Sequence, residues 1–548
     1  MMKDKKLASI AIAALLAVMV LPACSSTSAS SAGSSSAVSS AISGVESSAA
    51  AEGSSSSTSS AASSAMQVSS GSGSAGSMQA PPDASGASSM GQPPEMGGSM
   101  GQPPDANGAG SMQAPPDANG GSMGQPPDGA PGGGPGGAPG GSSVDLEYSA
   151  ATEITSSDDQ SGQTYASSTV DESALIVNTS DSVTVSDFTV SKSGDSNGGD
   201  NCNFYGLNAG VLAMGGTQLT LTGGTVETNA DGANGIFSYG GNGGSNGASG
   251  DGTTVTVSDT TITTTGNGSG GIMTTGGGVT YANNLTVATS GGSSAPIRTD
   301  RGGGTVYVDG GTYTSNGLGS PTIYSTADVN VSNATLTSNL SEGVCIEGKN
   351  SITLTDCDMT ANNTKCNGNA TFLDTIMIYQ SMSGDADSGT SSFTMSGGSL
   401  TSLNGHIFHV TNTNAIINLN GVQLVNEDSS NVLLSVCDDG WSGASNIATL
   451  NASGQELAGA ILVGDNSQLT LNLEQGSLFE GYVSGEIENA SGNSVSTEVG
   501  TVAVTMDSTS TWTLTADSYV TSFDGDAANV ISNGYTLYVD GVALTGTN

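Results

Sequence analysis

The chain has 548 residues, with 49 acidic side chains against 8 basic ones and a formal net charge of −41. A surface so short of Lys and Arg cannot neutralise phosphates, which excludes nucleic-acid binding, and it also repels anionic lipid and acidic polysaccharide. Hydrophobic content is 35%, aromatic content 4%, and glycine numbers 82; such values describe a folded domain only where the apolar residues are concentrated, and here they gather after Val144.

The chain opens with Lys3, Lys5 and Lys6, an apolar run from Leu7 to Val20, and then Leu21-Pro22-Ala23-Cys24. The run is short for a membrane-spanning helix and is followed by Ser-rich sequence, so it reads as a cleaved export signal. Leu21, Ala23 and Cys24 together resemble the bacterial lipobox. The resemblance implies that residues 1–23 are a lipoprotein signal peptide. Cys24 then carries lipid and becomes the mature N-terminus, and the protein is anchored on the outer face of a bacterial cell membrane. The long spacer that follows favours a Gram-positive envelope.

Residues 24–143 are a low-complexity stretch. Ser, Ala and Gly give way to five copies of Met-x-x-Pro-Pro-Asp/Glu, starting at Met78, Met90, Met100, Met112 and Met123, and the stretch ends in GAPGGGPGGAPGG. No apolar period exists, so ordering it would not recover the entropy lost. It reads as a disordered tether with an end-to-end distance of roughly 60 Å, stiffened by its Pro-Pro pairs. Docking, or soft-metal capture by the Met residues, are the functional alternatives.

Residues 144–548 form the folded domain. Val144 to Ser168 reads as an N-terminal cap, since a stack of strands must cover its open end. Then comes a phrase typified by VTVSDTTIT from Val255, recurring from Val183, Leu219, Val279, Val306, Val329, Ile352, Phe393 and Ile417. Val255 and Val257 lie on one face and Thr256 on the other, as in a half-buried strand. The fifth position is Asp187, Gly223, Asp259, Asn283, Gly310, Asn333, Asp356, Gly397 or Gly421, residue types that tolerate a left-handed corner. A second inward strand position follows, for example Val226, Ile262 or Leu336. Between phrases sits a third apolar piece, centred on Ile236, Ile272, Ile297, Ile323, Ile346 and Ile378. Successive phrases start 23, 24 or 27 residues apart in five of eight steps, and the longer steps hold Gly- and Asn-rich insertions. Three strands per period of that length describe an all-β, single-stranded parallel β-helix, a β-solenoid of about twelve coils with insertions as side loops. From about residue 490 to 548 the sequence grows richer in aromatics and contains Asn533-Gly534, a turn signal; it reads as the C-terminal cap.

Chemistry-bearing residues are few. Beyond Cys24, five cysteines remain: Cys202, Cys345, Cys357, Cys366 and Cys437. Cys357 and Cys366, flanking a short insertion, are the candidate disulfide, set against thiols with no shared role. His406 and His409 are the sole histidines, too few for a zinc site. Asp385 and Asp387, in a loop-like DADSG, are the candidate Ca²⁺ ligands; no cofactor is required. With Ile272, Ile297, Ile323, Ile346 and Ile378 inward, the next residues, Met273, Arg298, Tyr324, Glu347 and Tyr379, form an outward column. Together with Arg301 and the loop residue Trp441, these Arg, Tyr and Glu side chains make a possible ligand face for a glycan, the alternative being a decorated surface in which each Arg pairs with an acid. A second column, Thr184, Thr220, Thr256, Thr280, Thr353 and Thr394, suits exposed strand positions.

The phrase, its corner ladder and the side-loop insertions resemble the pectin-lyase-like superfamily of parallel β-helices; with the lipobox and spacer, the chain resembles adhesin-like surface lipoproteins of bacteria. The first resemblance implies a right-handed helix. That superfamily holds lyases, glycoside hydrolases and noncatalytic adhesins, so it does not decide activity. Polygalacturonase-like enzymes carry Asn-Thr-Asp, Asp-Asp, Gly-His-Gly and Arg-Ile-Lys signatures, whereas this chain has Asn404-Gly405-His406 without a matching set; no catalytic residue is carried over. The expectation is a monomeric, noncatalytic, lipid-anchored rod presenting loops for adhesion or glycan contact at a host or cell surface. The alternatives are a carbohydrate-active β-helix enzyme on a neutral glycan and a structural cell-envelope component.

Overall fold

The structure is a computed structural model that describes residues 146–548. The leader, Cys24 and the tether with its Met-x-x-Pro-Pro-Asp/Glu repeats lie outside the described residues.

Strand Thr254–Ser258 shows why the chain coils. Val255 and Val257 are buried while Thr254, Thr256 and Ser258 are partly exposed. Its ladders are parallel on both sides, to Gln218–Thr222 of the coil before and to Thr254↔Val279 through Ser258↔Asn283 of the coil after. At Asp259 the backbone turns left-handed with φ of 50°, and Thr261–Thr264 leaves in a new direction with Ile262 inward. A third corner leads to Ile272–Thr275, which opens the next coil. Each coil pairs with its neighbours through backbone groups, leaving ladders unpaired chiefly at the two ends.

Stacking these coils produces a parallel β-helix. One face is a continuous sheet of 15 strands, against the expected twelve or so coils, and coils after Val432 keep stacking as the phrase degenerates. The other two faces join into a 22-stranded sheet, since the 12-residue strands Gly278–Thr289 and Gly304–Ser315 run across the corner without a break. One apolar core runs the length of the stack from Ile154 to Leu537.

The corner expectation holds at Asp187, Gly223, Asp259, Gly310, Asn333, Asp356, Gly397 and Gly421, all with positive φ. It fails in one copy. In the Val279 phrase the left-handed residue is Asn284, with φ of 53°, and not Asn283. That phrase is one residue longer, and the extra residue shifts its first strand by one. Thr280 and Ala282 therefore face inward opposite Val255 and Val257, while Val279 turns out. A shift of one residue exchanges the two faces of a strand. Tyr281, not Thr280, takes the outward place in the threonine column, stacked on Tyr307 with centroids 5.1 Å apart.

The third corner carries a feature that alternation does not reveal. Ser269, Ser294 and Ser320 are fully buried and lie one above another. Ser269 N donates to Ser294 Oγ at 2.9 Å and Ser294 N to Ser320 Oγ at 2.9 Å, while the hydroxyls donate to carbonyls of Ala230, Gly266 and Gly291. The serines thereby satisfy backbone groups that the bend removes from the ladders.

Both ends are built from strands that continue the stack. The segment expected to cover the N-terminal end is itself a coil, with Ala150–Ile154, Gln160–Ser161 and Thr164–Ser167 each in parallel register with the coil that follows. At the other end Thr501–Met506 and Thr511–Leu514 continue the stack, and a small sheet of Ser518–Val520, Leu537–Val539 and Val542–Ala543 closes it. The Asn533-Gly534 turn is present, with φ of 49° and 90°.

Cys357 and Cys366 are both free, which corrects the expected disulfide. Cys357 follows the left-handed Asp356 and points into the core, fully buried, with its Sγ toward the carbonyls of Val331 and Thr355. Cys366 sits in a side loop with its Sγ on Phe372 O. One thiol belongs to the interior and the other to the outside of the coil wall.

A β-branched residue at a left-handed corner costs about 1–2 kcal/mol. Asp259→Val is expected to lower stability by about that amount and Asp259→Gly by far less, as read from thermal melts of the two variants side by side.

Candidate functional site

The outer side of the 15-stranded face is covered by loops, and a cleft of ≈ 150 Å³ opens between them. Its floor follows from strand register. Met273, Arg298, Tyr324, Cys345 and Met377 occupy one column, each opposite the next in the parallel ladders, and His409 and Ser435 continue it. The expected column therefore divides. Met273, Arg298 and Tyr324 share it, whereas Glu347 and Tyr379 stand in the adjacent column, two residues further along the strand. Val344 and Ile376, not Ile346 and Ile378, align with Ile323. A slip of two keeps every side chain on its predicted face, so the outward residues still converge on one cleft.

Glu347 is buried behind this surface. Its Oε2 accepts from Tyr324 Oη at 2.6 Å and from Tyr379 Oη at 3.1 Å, and its Oε1 accepts from Ser381 Oγ and Ser383 Oγ. The carboxylate aims the two tyrosines and is not itself a wall of the cleft. Burial, then the nearby Glu347 charge, pushes both tyrosine hydroxyls far above their ordinary range, so they remain protonated donors. Trp441 lies over Tyr379 with ring centroids 4.9 Å apart and planes tilted 52°, and it is partly exposed at the mouth.

The two arginines are ion-paired. Arg298 donates to Asp300 Oδ2 at 2.9 Å, to Ser293 O at 2.9 Å and to Asn203 Oδ1 at 3.2 Å. Arg301 donates through Nε and one terminal nitrogen to Asp385 Oδ1, at 3.1 and 2.6 Å, and lies 4.2 Å over the Phe204 ring. Burial pushes the Asp300 carboxyl up to about 7, against the pull of the Arg298 guanidinium. Asp385 and Asp387 do not converge on a common ion: Asp385 faces Arg301, and Asp387 is paired with Lys349 at 2.7 Å. Among the described residues no group of three or more His, Cys, Asp or Glu is placed to hold a metal ion.

The loop that carries Trp441 is held from beneath by residues that sequence reasoning did not join. Asp439 Oδ1 accepts from the backbone N–H groups of Thr371 and Gly440, at 2.8 and 2.7 Å, and its Oδ2 lies 3.3 Å from His409 Nε2. His409 Nδ1 and His406 Nδ1 each lie 2.8 Å from Ser435 Oγ. Phe372 stacks on His409 with centroids 4.7 Å apart. Ser, His and Asp in this order suggest a nucleophile, but Ser435 is fully buried and out of reach of any substrate. The array is a clamp between the strand wall and the Trp441 loop. A linear signal was present in the paired Asp438-Asp439 before Trp441, but nothing in it pointed to His409.

Comparison with known protein families, with curated proteins and with solved structures found no match to this chain.

Burial, reinforced by the neighbouring His409, pushes His406 down to about 3. Its folded value lies below the ordinary value of about 6.5, so neutral His406 supports the fold fully above pH 6.5, and that support is lost as pH falls toward 3. The stability advantage of the wild type over His406→Asn is expected to shrink by about 2 kcal/mol between pH 7 and pH 5. Urea melts of both proteins at the two pH values measure it, and a constant difference would show that His406 does not titrate in this way.

Proposed function

We propose that this chain is a lipid-anchored surface protein whose β-helix holds a glycan in the loop-covered cleft without cleaving it. The observation that carries the reading is the cleft itself, in which aromatic rings at Tyr324, Tyr379 and Trp441 meet polar groups held in fixed positions by Glu347, Asp300 and Ser293. An apolar ring face beside preset donors and acceptors suits the two sides of a sugar. The positions are set before any ligand arrives, which reduces the ordering cost of binding. The ion pairs that hold Asp300 on Arg298 and Asp385 on Arg301 support a noncatalytic role. The membrane anchor rests on Leu21-Pro22-Ala23-Cys24, and adhesion to a cell or host surface is the role such an anchored binding site would serve.

A second reading, a glycoside hydrolase acting on a neutral glycan, is favoured by one observation. Asp300, pushed up to about 7, is protonated to a useful extent near neutrality beside Asp385.

Trp512 is fully buried in the core, so a change in tryptophan emission on adding ligand reports Trp441. The full chain is expected to show a saturable emission change with at least one oligosaccharide of a neutral, basic and acidic panel. Calorimetry should find that binding weakened about tenfold or more in Trp441→Ala. Shorter products in the same incubations would establish the hydrolase reading, and no saturable binding across the panel would remove both.

Cys24→Ser, expressed in a bacterium, should move the protein from the membrane pellet to the soluble fraction. Retention in the pellet would count against the lipid anchor.

A further inference from the structure

Two carboxylates are buried together at the wall of the cleft. Glu342 lines the cleft and is 4% exposed, and Asp374 in the following coil is 1% exposed. Each stands two residues before a core position. Those positions, Val344 and Ile376, pair in the parallel ladder, and between them and the acids Gly343 N donates to Thr375 O at 2.8 Å. The register therefore sets one acid over the other on adjacent coils, about 4.8 Å apart at the backbone. Glu342 Oε2 accepts from Ser341 Oγ, whereas Asp374 Oδ1 is buried with no hydrogen-bond partner. Asn363, 1% exposed, joins the two. Its Nδ2 donates to Asp374 O at 3.2 Å, its side chain also bonds the Glu342 carboxylate, and its Oδ1 is a second buried oxygen without a partner.

The surroundings supply no counter-charge. Among the described residues, the ion pairs involve Asp300, Asp385, Asp387 and Asp439, and neither Glu342 nor Asp374. Arg298, Arg301 and Lys349 are committed to those pairs, and Lys192 to the carbonyls of Thr169, Ser193 and Gly194. Lys365 follows Asn363 by two residues, but it is exposed and lines a groove over the third corners. His406 pairs with Asp374 in register, yet its Nδ1 is turned to Ser435 Oγ, and its pKa of about 3 keeps it neutral near pH 7. The other near groups are the thiols of Cys345 and Cys366 and the carboxylates of Glu347 and Asp439, none of them positive. Burial raises both carboxyls, and the Glu342 and Asp439 charges raise Asp374 further.

Burying a carboxylate without a partner is costly, and two side by side are costlier. Carboxylate and amide oxygens are hard donors of the kind that calcium-class cations take, and a charge of +2 cancels that of the pair. A proton shared between the acids is the competing solution, but it leaves Asn363 Oδ1 without a partner. We propose that Glu342, Asp374 and Asn363 hold a divalent hard cation beside the loop of residues 364–372, with water completing its shell. Only two of these ligands are acids, and the site is separate from Asp385 and Asp387. It does not rest on reading the cleft as a glycan site. Its opening is the cleft, through Glu342, and the same loop brings Asn367 and Gly368 to the cleft wall. The ion thus ties the base of that loop, at Asn363, to two successive coils.

The probe is Ca²⁺ alone, added to the full chain after treatment with a chelator, at about 0.15 M salt so that the acidic surface is screened. Calorimetry is expected to find one saturable site per chain, and the melting temperature to rise with Ca²⁺ until that site is full. Glu342→Gln and Asp374→Asn keep the shape of each side chain and remove one charge. Each should weaken Ca²⁺ binding about tenfold or more and remove most of the melting shift. Asp387→Asn, which removes a charge elsewhere on the surface, should bind as the wild type does. No saturable binding in the wild type overturns the proposal and leaves the pair with a shared proton. Binding that persists unchanged in both Glu342→Gln and Asp374→Asn, or that falls equally in Asp387→Asn, also overturns it, by assigning calcium to the acidic surface at large.

Discussion

Backbone pairing between successive coils is the constraint on which the rest of this molecule depends. Strands within the stack are bonded in parallel to one strand before and one after, so whatever a residue does is repeated or contradicted by its partners in the adjacent coils. Parallel strands cannot be joined by tight hairpins, and this chain solves the problem by turning through two further faces before returning. The left-handed corner makes the first of those turns possible. Gly occupies it because it has no Cβ to clash, and Asp and Asn because their short polar side chains offset that clash by local hydrogen bonds. Asn284 and Asn333 reach back to Asp259 and Asp309 of the preceding coil, each at 2.7 Å, so the corners are stitched together as well as permitted.

The same constraint makes the cleft. On most of the helix, outward positions are solvated, but on the 15-stranded face the insertions fold back and cover them. Those outward positions then hold Arg298, Tyr324 and Tyr379, while neighbouring places hold apolar Cys345 and Met377. Loops bring what the strands lack: Phe204 and Asp200 from one insertion, Asp385 from another, Trp441 from a third. Loops by themselves are mobile, and each here is held by a polar side chain that reaches the wall or a neighbouring loop. Arg301 binds the Asp385 loop, Arg298 bonds Asn203 beside the short helix, and His409 pairs with Asp439 ahead of Trp441. Both arginines of the sequence act in this way. Buried ion pairs contribute little net stability, but breaking one is costly, and that asymmetry suits groups whose task is to fix position.

Much of this was legible before any coordinates. Alternation at Val255 and Val257, the Asp/Asn/Gly corner and the near-constant period specify strands, a bend and a stack. Arg298, Tyr324, Tyr379 and Trp441 could be drawn toward one face because parity along a strand survives errors of two residues, as at Ile346 and Ile378. Errors of one residue do not survive. The single extra residue after Val279 turned Val279 outward and brought Thr280 in, because each step along a strand reverses the face. Glu347 was placed on the correct side of the wall but in the wrong role, since nothing in a linear order shows that two tyrosine hydroxyls and two serines would close over it. The disulfide between Cys357 and Cys366 failed for a related reason: nine positions apart in sequence, they stand on opposite sides of a coil wall.

The sequence alone determined the β-helix, its corner chemistry and the acidic composition, because each is a local or periodic property that neighbours in the chain express together. Tertiary structure alone decided which outward residues share a cleft, that Asp385 and Asp387 answer to different cations, and that His409 holds Asp439. Those pairings join residues as far apart as Arg301 and Asp385, across loops of unequal length. Their geometry depends on how many residues each insertion adds between coils, a quantity that a repeat of short phrases leaves free.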